Sequence, residues 1–176
     1  MDTSNVSECC ETSQRQCYPL FDKWVLWAHL PHDTDWSLTS YKEIMQIQTL
    51  DDILGLYNSL PEILIQNCML FLMRKGVAPT WEDKKNRNGG CFSYKINNKL
   101  VYNVWTYLSY ILVGETISKD PKFVSTVTGI TISPKKAFCI IKIWMANCNY
   151  QDPKKIRLLE GLSPHGCLFK RHKPEF

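Results

Sequence analysis

Long hydrophobic runs are missing from this sequence of 176 residues. No stretch approaches the roughly 18 consecutive apolar residues that a membrane-spanning helix needs. Residues 1–17 are polar and lack the apolar core of a secretory signal. We therefore expect a cytoplasmic protein that does not contact a membrane.

Paired cysteines are also missing. The sequence has eight cysteines, but they are scattered, none belongs to a CxxC pair, and no secretory signal precedes them. This distribution predicts free thiols and no disulfide framework. His165, Cys167 and His172 come closest to a ligand cluster, but their spacing matches no zinc pattern. We expect no bound metal and no cofactor.

The sequence has little that indicates catalysis. It has no run of glutamates of the kind that a metal-dependent pyrophosphatase uses, and no setting that would activate a cysteine beside one of the four histidines. An enzyme is therefore the disfavoured alternative. The net charge of +4 is modest, so it permits an anionic ligand without requiring one.

What the sequence does have is an average soluble composition, with 44% hydrophobic and 22% charged residues. This length suits one domain with its own core. Residues 1–17 are rich in Ser, Thr, Glu and Cys without periodicity, which predicts a flexible N-terminal tail. The folded domain is expected over residues 18–176.

Short β-rich runs alternate with amphipathic segments along this domain. We predict strands at 23–30, 41–48, 68–73, 91–96, 124–133, 137–145 and 167–171. Helices are expected from Leu50 to Leu60, where Thr49 and Asp52 form a capping-box-like start, from Val101 to Leu112, and from Pro153 to Leu159. The pattern predicts an α+β fold with one antiparallel sheet whose helices cover a single face, leaving the other face free for binding.

Six tryptophans are an unusual number, and two of them fall in loops. Trp36 follows the turn sequence Pro31–Asp35, and Trp81 lies inside the polar segment Gly76–Gly90. Packing beneath a loop is one interpretation, and stacking on a flat ligand is the other. Glu82 favours stacking, because one carboxylate can accept the adjacent N–H donors of a guanine held against the rings.

Three lysines lie on or beside a predicted hairpin, with Lys135 and Lys136 at its tip and Lys142 on its second strand. Such clusters are usually solvated. Together with stacking tryptophans and a carboxylate, they would bind phosphate groups.

The segment Pro79–Gly90, with its Trp-Glu-Asp sequence closed by Gly-Gly, resembles the eukaryotic initiation factor 4E family, which binds the 7-methylguanosine cap of messenger RNA. Further matches, in the same order and spacing, are Trp24-Val-Leu-Trp27, Leu56-Tyr57-Asn58, Gly114-Glu115 and Ile143-Trp144. The resemblance implies a curved sheet with about three helices on its convex face and a cap slot on its concave face.

The resemblance also assigns roles to individual residues. Trp36 and Trp81 match the rings that enclose the base, Glu82 the carboxylate that binds its Watson–Crick edge, Trp144 the ring beside the methyl group, and Lys135 a phosphate contact. These residue types suit the ligand, because N7 methylation makes the base a cation that is attracted to indole faces by about 2 kcal/mol per desolvated contact.

A partner surface is implied on the convex face. Pro19 and Leu54 match positions of the family's surface for a scaffold or repressor peptide. Leu50 suits the groove of this surface, and Thr106, Tyr107 and Tyr110 are at helical positions expected to border it. Leu54 replaces a tryptophan of the family at this surface, and such aromatic side chains are often hot spots. Two roles stay open: an initiation factor that recruits a scaffold protein, and a cap-binding competitor or translational repressor with altered or lost scaffold binding.

Overall fold

Seven strands form one curved antiparallel sheet in the computed structural model, which describes residues 17–174. The strands are β1 (Pro19–His29), β2 (Tyr41–Thr49), β3 (Met69–Arg74), β4 (Gly90–Asn97), β5 (Val127–Pro134), β6 (Phe138–Met145) and β7 (Leu168–Arg171). Their order across the sheet is β2-β1-β3-β5-β6-β4-β7. The predicted α+β class is confirmed. Apart from Cys17, the predicted tail at residues 1–17 lies outside the described residues.

The two faces of the sheet bury different sets of side chains. In β3, Leu72 belongs to the main core beneath the helices, whereas Phe71 belongs to a smaller cluster on the opposite face. In β1, Trp24 is fully buried in the main core and Trp27 packs against the smaller cluster, which confirms that they face opposite sides. This alternation follows from the two-residue period of a strand. The smaller cluster marks the face on which the predicted site tryptophans Trp81 and Trp144 lie.

Helices cover the other face. They are α1 (Leu50–Ser59), α2 (Glu62–Asn67), α3 (Asn98–Val113) and α4 (Pro121–Thr126). The predicted capping box starts α1: the Thr49 hydroxyl accepts the Asp52 backbone N–H at 3.1 Å, and the Asp52 carboxylate accepts the Thr49 N–H at 2.9 Å. Trp105 of α3 is fully buried in the main core, as the apolar stripe predicts.

Two local assignments from the sequence were wrong, and one short helix was not predicted. Residues 124–126, expected in a strand, form the last turn of α4, whose start is set by Asp120 accepting the backbone N–H of Lys122 at 3.0 Å. The short α2 after Pro61 was not expected. The predicted third helix is reduced to a 3-10 turn at Pro153–Lys155. Such short elements are determined by caps and packing more than by periodicity.

An ionic cluster joins β1, β3 and the end of α3. The Arg74 guanidinium donates to both oxygens of Glu115 at 2.7 and 2.8 Å and to Asp22 at 2.7 Å. Its Nε donates to the Val127 carbonyl at 2.7 Å, and the guanidinium lies 4.5 Å from the centroid of the Trp24 ring. Glu115 has a positive φ of 55°, a backbone cost that these bonds offset.

Candidate functional site

A cavity of about 430 Å³ opens on the face of the sheet opposite the helices. This volume is within the range of small-molecule sites. Its walls are formed by Trp36, Tyr41, Met69, Phe71, Pro79, Thr80, Trp81, Glu82, Thr131, Ser133, Lys142 and Trp144. The structure therefore brings together five residues selected from the sequence: the three tryptophans, Glu82 and Lys142. We call this cavity the slot.

Trp36 forms one edge of the slot from the loop between β1 and β2. The Asp35 carboxylate accepts the Ser37 backbone N–H and hydroxyl, both at 2.8 Å, and these bonds stabilise the loop. The His29 ring stacks on the indole of Trp36, with centroids 4.1 Å apart and planes 2° from parallel. Trp36 is still 56% exposed. His29 thus orients a large apolar ring that stays accessible to a ligand.

Trp81 and Glu82 come from the loop between β3 and β4, and Asp83 stabilises the turn that carries them. One Asp83 oxygen accepts the Ala78 N–H at 2.9 Å and the other accepts the Lys85 N–H at 2.8 Å. A carboxylate that binds two backbone donors in one loop limits its conformations. These two bonds therefore stabilise the loop conformation in which Trp81 and Glu82 face the slot.

Asn86 supports the same loop from inside. It is fully buried, and its side-chain amide donates to the carbonyls of Ala78 at 3.0 Å and Thr80 at 2.9 Å. The Asn86 carbonyl lies 2.8 Å from Nδ1 of His172. Asn86 thereby connects the part of the loop just before Trp81 to the C-terminal segment.

The Gly-Gly pair of the loop allows a close approach between backbones. A Cβ at Gly89 would overlap the carbonyl oxygen of Met145, and one at Gly90 would lie 2.6 Å from the carbonyl oxygen of Lys170. Gly89 also accepts the backbone N–H of His172 at 3.0 Å. Any side chain here would push the loop away from β6 and β7.

Trp144 forms the floor of the slot and is 4% exposed. Its indole N–H donates to the Thr131 hydroxyl at 3.1 Å, which fixes the ring on the sheet. The His172 ring packs beside both site tryptophans, 4.8 Å from the Trp144 ring and 5.8 Å from the Trp81 ring, with the latter pair 10° from parallel. His172 therefore supports both rings from the side away from the slot.

His172 is a neutral imidazole in this environment. Burial lowers its pKa, and the positive charge of Lys142 acts in the same direction, while the Asn86 carbonyl and the charge of Glu82 oppose them. If Nδ1–H donates to the Asn86 carbonyl, Nε2 carries the lone pair. Within the described part of the chain, Nε2 is buried and has no hydrogen-bond partner. A buried acceptor without a hydrogen-bond partner is rare, so packing and not hydrogen bonding holds this side of the His172 ring in place.

Tyr41 stands beside Glu82 in the slot wall. Burial, with a smaller contribution from the charge of Glu82, raises the pKa of Tyr41 to about 12. Its phenol thus stays protonated at neutral pH. The Tyr41 ring packs edge-on against Phe71 and His29, both with centroids 5.2 Å apart.

Of the three predicted phosphate-binding lysines, one lines the slot and two do not. Lys142 lines the slot, and its Nζ lies 5.9 Å from the centroid of the Trp81 ring. Lys135 and Lys136 are exposed in the turn between β5 and β6 and do not line the slot. They lie at the end of the same hairpin, beyond Ser133.

Sequence reasoning missed four supporting residues: His29, Tyr41, Asn86 and His172. For Asn86 a signal was present, since an asparagine three residues after Asp83 in a Gly-rich loop often bonds the backbone. For His172 the sequence suggested only a weak metal ligand, because its role depends on a contact with a loop 86 positions earlier.

The six predicted partner-binding residues lie away from the slot, on α1, α3 and the start of β1: Pro19, Leu50, Leu54, Thr106, Tyr107 and Tyr110. Leu50, Leu54 and Tyr107 are 43%, 42% and 51% exposed, respectively. The Tyr18 carbonyl accepts the Leu50 N–H at 2.8 Å, which holds the start of β1 against α1. The exposed apolar side chains thus belong to one side of the molecule.

Residues 17–174 contain neither a cluster of metal ligands nor a candidate membrane-spanning helix. Over that range, no group of three or more His, Cys, Asp or Glu side chains is placed to hold a metal ion. Its helices include none with the length and apolar character needed to cross a membrane. The six cysteines described there are free thiols.

The chain also matches a known protein family. A model of the family "Eukaryotic initiation factor 4E" matches residues 19–170. The chain belongs to the eukaryotic initiation factor 4E family.

Individual relatives show how divergent this member is. Eukaryotic translation initiation factor 4E-2 of Schizosaccharomyces pombe is 30% identical over 148 residues, which cover 81% of this chain and 59% of the relative. The human factor 4E is 25% identical over 141 residues, 77% of this chain and 64% of the relative. The chain thus spans less than two thirds of the length of either protein.

Solved structures share the fold at lower identity. C. elegans eIF4E-3, in a complex with the 4E-binding protein Mextli and a cap analog, matches with a TM-score of 0.68 at 21% identity, covering 76% of each chain. A schistosome eIF4E in a complex with m7GpppG and 4E-BP has a TM-score of 0.68 at 19% identity, covering 76% of this chain and 74% of that chain.

Proposed function

We propose that this protein binds the 7-methylguanosine cap of messenger RNA in the slot, with the base enclosed between Trp36 and Trp81. The observation that carries this proposal is the convergence of both loop tryptophans, Glu82 and Trp144 on one cavity. Membership of the initiation factor 4E family supports it independently.

The chemistry of the slot suits a methylated guanine. The cationic ring is attracted to electron-rich indole faces, by about 2 kcal/mol for each desolvated cation–π contact. Glu82 accepts the N1 and N2 donors of guanine and complements the positive charge, which disfavours adenine because adenine has an acceptor at N1. Trp144, fixed by Thr131, borders the methyl group.

The phosphates of the cap follow the hairpin of β5 and β6. Lys142, which lines the slot, is the first cation that they meet, and Lys135 and Lys136 extend the positive charge at the tip. Ammonium groups bind phosphate as point charges, so exposed lysines at the tip can adapt to a flexible triphosphate.

The deciding experiment is a titration of the full chain with m7GpppG and with unmethylated GpppG, followed by tryptophan fluorescence. We expect quenching by m7GpppG and a weaker affinity for GpppG by tenfold or more, since one cation–π contact of about 2 kcal/mol corresponds to such a factor. Trp36→Ala should lose most of this discrimination. Equal affinity for the two nucleotides would overturn the proposal.

In the cell, the protein acts in translation initiation in the cytoplasm as a non-enzymatic factor that recruits a scaffold protein through the surface around Leu50, Leu54 and Tyr107. Their exposure favours this role. A cap-binding repressor is the second candidate, favoured by Leu54, which offers a smaller contact than an aromatic ring would. Copurification of a scaffold protein with the full chain supports recruitment, and cap binding without it supports the repressor.

A further inference from the structure

The slot side of the sheet continues beyond the cap-binding residues into a positively charged surface. β4, β5, β6 and β7, all within the described residues, contain no Asp or Glu. Three lysines on these strands point to the slot side: Lys95, Lys142 and Lys170. We call them the lysine face. With Lys135 and Lys136 they make five positive charges, in a chain whose 21 Lys and Arg exceed its 17 Asp and Glu by only four.

Strand register fixes the orientation of the lysine face. Lys142 is opposite Ser93 in β4, and Lys95 is two residues further along the same strand. Diagonal neighbours of this kind lie about 7 to 8 Å apart. Lys170 is opposite Cys91, which is opposite Trp144 in the slot floor. The three lysines therefore surround a patch that adjoins the slot.

The contacts of two small side chains support this arrangement. Burial raises the pKa of the Cys91 thiol, while a hydrogen bond with Ser93 and the charges of Lys142 and Lys170 act in the opposite direction. The strand register accounts for both effects, because Cys91 is opposite Lys170 and diagonal to Lys142. Cys91 is buried and Ser93 is half-buried between these lysines, with their Sγ and Oγ atoms 3.7 Å apart.

Lys95 is held on the same face by an aromatic ring. Its Nζ lies 4.4 Å from the centroid of the Phe138 ring. Lys95 and Lys170 are both exposed, so a ligand can reach their charges. The cation–π contact orders a long side chain that would otherwise lose entropy on binding an anion.

Resting on the proposed cap binding, we infer that the lysine face binds the sugar-phosphate chain of the first nucleotides that follow the cap. Lys95 and Lys170 contact these nucleotides and do not contact the cap itself. A single strand of RNA is the occupant that fits, because it enters from the slot and carries regularly spaced negative charge. The lysines give no base-specific contact, so the binding is independent of sequence.

The test compares three ligands on the full chain: m7GpppG, an unstructured ten-nucleotide RNA carrying the same cap, and the same RNA with a 5′ triphosphate. We expect the capped RNA to bind at least fivefold more tightly than m7GpppG at low salt. This gain should decrease as salt increases, with a logarithmic slope of about 0.7 for each phosphate contact. Lys95→Ala/Lys170→Ala should lose the gain and lower the slope while retaining affinity for m7GpppG.

Lys119→Ala/Lys122→Ala, which removes two exposed charges near α4 on the helical side, is the matched control and should keep the gain. If capped RNA binds no tighter than m7GpppG, or if the control loses the gain equally, the inference is wrong while cap binding stands. If m7GpppG itself does not bind, the proposed function fails. The inference is then judged on the triphosphate RNA, whose affinity must fall in Lys95→Ala/Lys170→Ala. An oligoglutamate of equal charge that displaces capped RNA equally well would assign the surface to acidic peptides.

Discussion

The ring of His172 lies nearly parallel to the indole of Trp81, with centroids 5.8 Å apart and planes 10° from parallel. The strand that precedes His172 in sequence is at the edge of the sheet, and Trp81 belongs to the loop between β3 and β4. This ring contact connects the C-terminal segment to the slot. Since His172 is buried and neutral, protonation should weaken this connection.

The stability of the protein should therefore decrease in mild acid because of His172. Its folded pKa is lowered by burial, whereas in the unfolded chain it is about 6.5. Below pH 6.5 the unfolded state binds more protons, so the free energy of unfolding falls as pH falls toward the folded pKa. Urea unfolding between pH 7.5 and 5 measures this. His172→Asn, which keeps a donor for the Asn86 carbonyl, should flatten the dependence.

The matched control is His165→Asn, at an exposed histidine. It should leave the pH dependence as in the wild type. A wild-type slope that persists in His172→Asn would mean that another group titrates in this range.

Removing the Glu82 carboxylate should weaken cap binding. Glu82→Ala is expected to cost at least about 2 kcal/mol, because two charge-assisted hydrogen bonds to guanine are lost. Calorimetry with m7GpppG measures this, and Glu160→Ala, at an exposed site far from the slot, should change nothing. A loss smaller than half of this value would show that Glu82 does not contact the base. The pKa of Tyr41 should also decrease in Glu82→Ala, since the charge of Glu82 raises it.

Arg74 should be a major contributor to stability. Its side chain is 14% exposed and its partner Glu115 is 18% exposed. Arg74→Met leaves Glu115 with an uncompensated charge, which we expect to cost about 3 to 5 kcal/mol in urea unfolding. Lys155→Met breaks a more exposed pair with Asp120, which solvent screens, and should cost much less than Arg74→Met. Similar costs for the two variants would contradict this assignment, and Arg74→Met/Glu115→Gln should recover part of the loss.

Restoring an aromatic ring at Leu54 should strengthen partner binding. Leu54 is 42% exposed on α1, so Leu54→Trp can be accommodated without repacking the core. We expect about tenfold tighter binding of a 4E-BP peptide, equivalent to about 1.4 kcal/mol and typical of an aromatic hot spot. Ile63→Trp, at a residue of α2 that is 61% exposed, is the control and should not change the affinity. No gain in Leu54→Trp would indicate that this surface does not bind the peptide.

Much of the fold could be predicted because periodicity and caps are local signals. The capping box at Thr49 and the apolar stripe of α3 depend on residues within a few positions of one another, and both are present in the structure. The last turn of α4 was misassigned to a strand, because Val124 and Thr126 are β-branched and lead directly into the β-rich residues of β5. Local signals fail where an element is only one or two turns long.

The slot was predicted in part, because its tryptophans lie in loops where large apolar rings are unusual. What could not be predicted is their support. His29 beneath Trp36 lies in β1 and His172 beside Trp81 directly follows β7, and a histidine at either position carries no special meaning in the sequence. Their roles depend on the register of the sheet and on a loop crossing it.

β7 has only four residues and pairs with β4 alone, yet Lys170 and His172 reach the slot side from it or directly after it. Short edge strands undock more readily than central ones. The affinity for a ligand is then reduced in proportion to the fraction of molecules in which this strand is undocked. By linkage, a bound ligand raises the docked fraction, so amide exchange in β7 reports slot occupancy from the far edge of the sheet.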